Sequence, residues 1–412
     1  MSPADIAWIL ACFALVTFFF PGISLFYGGM LDGKNVLNMM MMVMSTLAVT
    51  TVIYIVYVHG LVVGDSVGGL GLIGNPLEYL GYGGFFEDDG EGGPLWGAFY
   101  ILFAAVSVAL VASGAAGRMR FGSWLVFSVL WVTLVYAPMA HWVFTETDEE
   151  SGYIGGWMRS QLGLHDFAGG TAVHMNAGAA GLAIALVLGA RKNTETRPHN
   201  LPMTVIAGGM ILAGWMGFNG GTAGGANFLA QYVILTSAIA AATGMLGFML
   251  VEKIRDGHPT LLGLVTGMVS GLVGITPSAD AVSPLGALFV GFLSAMAAAW
   301  AIMWKRKHRI DDSLDVFAVH GIAGIVGAMF VVFFGSASAP AQTAGVFLGG
   351  DPGLIWREIV AITVTLVYSF TVTYAIAWVM NRIRPIRVSE DDETAGLDRA
   401  LHAETAYARD TL

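Results

Sequence analysis

Two histidines, His174 and His320, are the residues most able to do chemistry, because each lies inside a stretch too apolar to be anything but a membrane span. Their contexts echo one another. Thr171-Ala172-Val173-His174 precedes Gly178-Ala-Ala-Gly181, and Phe317-Ala318-Val319-His320 precedes Gly321-Ile-Ala-Gly324. An ionisable side chain at bilayer depth costs about 2.5 kcal/mol or more when charged, which makes it a functional candidate by default. A lone histidine there is better explained by a helix–helix hydrogen bond. Two in repeated contexts point to a duplicated unit that brings both to one central pathway, and imidazole, which donates and accepts at once near neutral pH, suits proton or hydrogen-bond relay. Asp166 and Asp315 stand just before the two histidines, where a carboxylate reads as a helix-start cap and site organiser rather than a substrate ligand.

Composition sets the stage for these residues. Of 412 residues, 56% are hydrophobic and 12% charged, against about 25% charged for a soluble chain, which excludes a cytosolic enzyme. The 55 glycines fit helix packing in lipid, where small residues let backbones approach. The single cysteine, Cys12, permits no intrachain disulfide. No nucleotide loop or nucleic-acid motif is present, so nucleic acid is not a partner. No three-ligand metal spacing appears, and no cofactor is expected.

At about 20 residues per span, eleven candidates run at roughly 6–29, 36–60, 95–116, 123–144, 169–190, 203–222, 229–251, 260–276, 284–304, 318–338 and 357–380. The first lacks a basic leader, so no cleaved signal peptide is expected. With the N-terminus outside and the C-terminus inside, 17 of the 19 basic residues, Arg197 and Arg409 among them, fall on the inner side. Only Arg159 and Arg357 fall outside, the asymmetry that the positive-inside rule describes. The outer loops are acidic, with Glu87, Asp88, Asp89 and Glu91 in one and Asp148, Glu149 and Glu150 in another. Such a mouth gathers cations, although exclusion of bases from outer loops leaves the same pattern. His174 in span 5 and His320 in span 10 give a five-span period. An odd period inverts the second copy, as in transporters built from inverted repeats with a midplane site. The fold class is therefore an all-α polytopic membrane protein: an inverted five-helix repeat, spans 1–5 (about 6–190) and 6–10 (about 203–338), plus a peripheral span 11. The transmembrane domain covers 1–381, and 382–412, acidic and polar, reads as a solvated tail.

Four separated segments, in order, carry a resemblance: Asp166-Phe-Ala-Gly-Gly-Thr-Ala-Val-His174-Met-Asn-Ala-Gly178; Gly214-Trp-Met-Gly-Phe218-Asn219-Gly-Gly-Thr222; Gly274-Ile-Thr-Pro277; and Asp311-Asp-Ser-Leu-Asp315-Val-Phe-Ala-Val-His320-Gly. The chain resembles the ammonium transporter family, the Amt/Mep branch of the Amt/Rh superfamily, across all the spans. The resemblance implies a plasma-membrane homotrimer with one pore per subunit that takes up ammonium. It implies that His174 and His320 are twin pore histidines and that Phe103 and Phe218 form a phenylalanine gate above them. By the same resemblance Phe99 and Thr222 belong to an outer recruitment site, Trp215 lines the pore, and Asp166 organises the outer site. It further implies that the tail is regulatory and meets a PII-type signal protein. One departure is evident: the run His141-Trp142-Val143-Phe144 puts Phe144 where the family carries tryptophan. Phenylalanine holds a cation less well, so outer ammonium binding is expected to be weaker. A bis-histidine haem protein, an intramembrane metalloenzyme, an ammonium sensor and a neutral-gas channel are the alternative readings.

Overall fold

The computed structural model describes residues 1–87, 90–194 and 198–407. Asp88, Asp89, Arg197 and Arg409 from the charge pattern lie outside the described residues. Their regular elements are helices, and pairing in the strand manner is confined among the described residues to isolated bridges such as Met119 with Arg387. Ten helical stretches are long and apolar enough to cross a membrane, from Pro3–Met30 to Gly353–Ile383. They coincide with ten of the expected spans. The remaining one, near 260–276, is the shorter apolar helix Leu261–Ile275, about 22 Å long at 1.5 Å per residue. It stops because Pro277 cannot extend it. The buried turn that follows pairs with the approach to His174 instead: Phe167 N donates to Pro277 O and Ala168 N to Thr276 O, each at 3.2 Å.

The helices begin where the sequence supplies caps. Asn200, Asn227, Thr260 and Ser283 each accept from the backbone N–H three residues on, satisfying donors that have no partner within the helix. Outward faces carry bare apolar side chains, including Val52, Ile206 and Val367, each around 60% exposed. A contiguous surface of this kind belongs in lipid.

The two histidine segments share one local build. Each opens as a wide π-helical turn, Gly170–Met175 and Phe317–Ile322, and continues as an α-helix, Asn176–Leu188 and Ala323–Phe334. Such turns are frequent at functional sites. The segments cross antiparallel: a Cβ placed on Gly178 would meet Gly321, one on Gly181 would meet Val316, and one on Gly324 would meet His174 and Met175. Only glycine permits the crossing at 178, where that Cβ would lie 2.6 Å from the Gly321 nitrogen.

The tail is packed rather than solvated. Asp398, 2% exposed, accepts from Asn38 N at 2.7 Å at the start of Val36–Ile53, and Leu397 beside it is fully buried. Val388 N donates to Arg118 O, Lys34 Nζ to Thr394 O, and Arg387 pairs with Glu393 at 2.8 Å. The tail's acids complement the bases on the same face, a match that tail composition taken alone conceals.

Candidate functional site: a vestibule, an aromatic gate and a histidine pair

A vestibule of about 610 Å³ opens on the face that carries the acidic loops. Phe99, Phe103, Phe144, Thr222 and Asp166, all expected in or near an outer site, line it. Thr222 donates its hydroxyl proton to Phe218 O at 2.8 Å, so the oxygen presents only lone pairs to a ligand. Phe99 and Phe103 lie 5.1 Å apart, and Phe144 meets Phe103 edge-on at 6.2 Å. Trp142 does not reach this space. Its indole donates to Leu72 O and its ring packs on Trp157 and Tyr368.

At the vestibule floor Phe103 and Phe218 stack face to face, with centroids 3.9 Å apart and planes within 11°. Both are almost completely buried, and Phe19 meets Phe218 edge-on at 5.7 Å. Past the stack lies His174, whose ring lies over Trp215 at 5.0 Å and 22°. The Trp215 indole donates to Thr276 Oγ1 at 2.9 Å, which fixes its plane. His320 follows, its Nδ1 3.2 Å from His174 Nδ1. One of the two must donate and the other accept, so the two outward-facing Nε2 atoms are necessarily complementary, one N–H and one lone pair. His174 Nε2 has no protein partner among the described residues. A narrow cavity of about 30 Å³ continues beyond, lined by His174, His320, Trp215, Tyr27, Val106 and Asp315. This volume and the direct contact between the histidines leave no room for a haem between them.

Asp166 organises the approach through the backbone. It accepts from Gly169, Gly170 and Thr171 N at 2.9, 2.8 and 2.7 Å, and Gly169 between them adopts φ +99°, a conformation that favours glycine. The capping expected of Asp315 is made by Asp312. Asp312 accepts from Phe317 N at 3.0 Å and from Ser113 Oγ at 3.1 Å, whereas Asp315 pairs with Lys305 at 2.5 Å and lines the inner cavity. The missed signal was spacing. Asp312 precedes His320 by eight residues, as Asp166 precedes His174.

Comparison with known proteins identifies the family. The Ammonium Transporter Family profile matches residues 7–407. The chain belongs to the ammonium transporter family. An ammonium transporter of Corynebacterium glutamicum is 63% identical over 99% of this chain and 90% of that protein. The crystal structure of Saccharomyces cerevisiae Mep2 superposes with a TM-score of 0.86 at 31% identity, covering 95% of this chain and 88% of that one. A sensor Amt protein shares the fold, with a TM-score of 0.87 at 22% identity over 96% and 98% of the two chains.

Within this member of the family, two vestibule features escaped sequence reasoning. Trp96, one helical turn before Phe99, lines the vestibule and stacks on Tyr100 at 5.7 Å. The i, i+3, i+7 spacing of Trp96, Phe99 and Phe103 would have revealed it. His165 pairs with Asp280 at 2.9 Å on the vestibule wall. Burial pushes this imidazole down, but the hydrogen bond and charge of Asp280 outweigh it and hold the group above its usual value. On the opposite face Arg191 grips Asp311 through two nitrogens, with Arg118 3.6 Å away. Burial opposes the Asp311 charge, and these guanidiniums override it, holding the carboxyl down at about 2.

Proposed function

We propose that the protein takes up ammonium across the plasma membrane, recruiting NH4+ in the vestibule and passing NH3 past the twin histidines while the proton crosses separately. Net charge then moves. The carrying observation is the 3.9 Å Phe103–Phe218 stack set directly against the hydrogen-bonded His174–His320 pair. In the vestibule the cation rests on the faces of Phe99 and Phe144, with Trp96 close by, and donates an N–H to the Thr222 oxygen. The stack must part for anything to pass, and the largely apolar passage beyond it opposes a bare ion. K+ cannot shed its charge; NH4+ can, releasing a proton that the histidine pair carries separately. The neutral amine then accepts from one Nε2 and donates to the other, the complementary pair created by the shared Nδ1 proton. Trp215 holds the His174 ring in register, and Asp166 and Asp312 fix the turns that carry the two histidines. Asp315 faces the cavity on the far side.

The wider architecture in this reading is eleven spans, N-terminus outside and C-terminus inside, in an inverted repeat of 1–5 and 6–10 plus span 11. The antiparallel crossing at Gly178 and Gly321 supports the inversion. The short helix Leu261–Ile275 with its buried turn serves as the eighth span. The transmembrane domain is 1–381, and the tail from 382 regulates it, docked as described on the cytoplasmic face within reach of a PII-type protein. The assembly is a homotrimer with a pore in each subunit.

The test is current from proteoliposomes on an ammonium pulse, wild type beside His174→Ala. A wild-type current that the variant loses, or that turns K+-permeable, supports the reading. Vesicle pH changes without current would replace it with a neutral NH3 channel, and ammonium binding without either signal would replace it with a sensor.

A further inference from the structure

A second cavity, unconnected with the pore, lies on the lipid-facing surface between the helices Phe121–Trp131 and Gly353–Ile383. It is a groove of about 770 Å³ whose walls include Val126, Leu130, Val372, Ala375 and Val379. Its floor is tied by Trp131 Nε1 donating to Thr373 Oγ1 at 3.0 Å. One end is closed where Tyr368 OH donates to Leu134 O at 2.8 Å. The other end, on the face carrying the tail, is flanked by Arg120 and Arg384.

Those two arginines are the unusual feature. Arg120 uses Nε on Arg387 O at 3.0 Å, and its two terminal nitrogens have no partner among the described residues. Arg384, exposed, has none for its guanidinium nitrogens among the described residues. Neighbouring guanidiniums are spent: Arg387 holds Leu188 O, Ala190 O and Glu393, and Arg382 sits over the Trp378 ring at 5.1 Å. The lining contains no carboxylate. From Val372 to Ile383 the groove runs about 17 Å along the helix, against roughly 15 Å for the hydrocarbon of one leaflet. An apolar slot one leaflet long, capped by one guanidinium held only through Nε and one with no partner among the described residues, matches an anionic phospholipid in both length and charge.

We infer that this groove is a specific site for one anionic phospholipid, its phosphate between Arg120 and Arg384 and an acyl chain along Val126, Val372 and Ala375. The fork geometry of arginine suits a phosphate, and Trp378 beside it sits at the interfacial level where indoles collect. The backbone of Arg120 also pairs with Ile386 O at 2.9 Å, so the headgroup would rest on the seam where the tail leaves the last long helix.

The full-length protein in dioleoyl-phosphatidylcholine nanodiscs, titrated with dioleoyl-phosphatidylglycerol, tests this by native mass spectrometry and thermal unfolding. One long-lived phosphatidylglycerol per chain is expected, preferred over phosphatidylcholine roughly 30-fold, at about fivefold for each arginine. Arg384→Gln breaks no contact inside the protein and should lower the preference about fivefold with unchanged melting in phosphatidylcholine. Ala375→Trp should expel the lipid while leaving both arginines in place. Equal binding of the two lipids, a preference unmoved by Arg384→Gln, or full binding to Ala375→Trp would each overturn the site.

Discussion

Replacing Gly178 with alanine should separate the twin histidines without touching either. The added Cβ would lie 2.6 Å from Gly321 N and 2.7 Å from Gly321 Cα. Both neighbours are backbone, so no rotamer change relieves the clash and the two segments must part by about 0.8 Å to reach ordinary contact. Gly178 is one turn past His174 and Gly321 adjoins His320, so the displacement falls on the imidazoles almost undiminished. Their Nδ1–Nδ1 distance would grow from 3.2 Å to about 4 Å, beyond a hydrogen bond. Overpacking of this kind costs about 1–3 kcal/mol of stability. The larger effect is on transport, because the shared proton that makes the two Nε2 atoms complementary is lost. Ammonium current in proteoliposomes should fall at least tenfold while outer-site affinity, set on the far side of the phenylalanine stack, stays within twofold. Gly209→Ala is the control. A Cβ there meets nothing within 4 Å, and alanine in a helix is favoured over glycine by roughly 0.5–1 kcal/mol, so current should be unchanged and melting equal or higher. Full current through Gly178→Ala would refute the idea that direct histidine contact governs passage.

Phe144→Trp should strengthen outer ammonium binding by a factor of about 2 to 30, the range spanned by cation–π gains of roughly 0.5–2 kcal/mol, read as a lower half-saturating concentration with the maximal current kept. In Asp166→Asn, the amide can point an acceptor at only part of the three N–H groups it now serves; charged hydrogen bonds are worth about 1.5–3 kcal/mol each, so melting should fall sharply and current should be lost with it. Asp311, held at about 2 against an unfolded value near 3.8, contributes stability that is full above about pH 4 and drains away as pH falls towards 2, on the order of 2.5 kcal/mol in all. In Asp311→Asn the melting temperature should drop at pH 7 and lose most of its slope between pH 4 and 2; an unchanged slope would mean that Arg191 and Arg118 do not set this carboxyl.

Much of the site was legible because chemistry-bearing residues are rare in an apolar chain. His174 and His320 stood out by cost alone, and ten of the eleven spans followed from hydropathy. Less visible was anything decided by which side of a helix faces which neighbour. Trp96 looked like one more aromatic among the 11 tryptophans until the helix put it over Phe99. Asp315 stands out by its proximity to His320, whereas the cap is made by Asp312, which repeats the eight-residue spacing of Asp166 to His174. The tail misled for a related reason. Its charge suggests solvation, but Asp398 and Leu397 are buried against residues more than 350 positions away, and no local pattern encodes such a pairing.

The two copies also differ in a way that bears on direction. The turn before His174 is capped by a carboxylate that accepts three hydrogen bonds, all from backbone N–H groups, within an open vestibule. The turn before His320 is capped by a carboxylate locked behind Lys305 and Ser113, next to a cavity twenty times smaller. A cation arriving from the vestibule therefore meets aromatic faces and the Thr222 hydroxyl oxygen, whereas the carboxylate lining the inner cavity, Asp315, is already paired with the buried Lys305. On the proposed reading, the acidic aromatic vestibule is the entrance for cations and the small inner cavity the exit for a neutral molecule. Reversing that preference would require moving Lys305 as well as the vestibule aromatics. Lys305→Met should accordingly raise ammonium efflux relative to uptake in oriented vesicles, and an unaltered ratio would place the asymmetry in the vestibule alone.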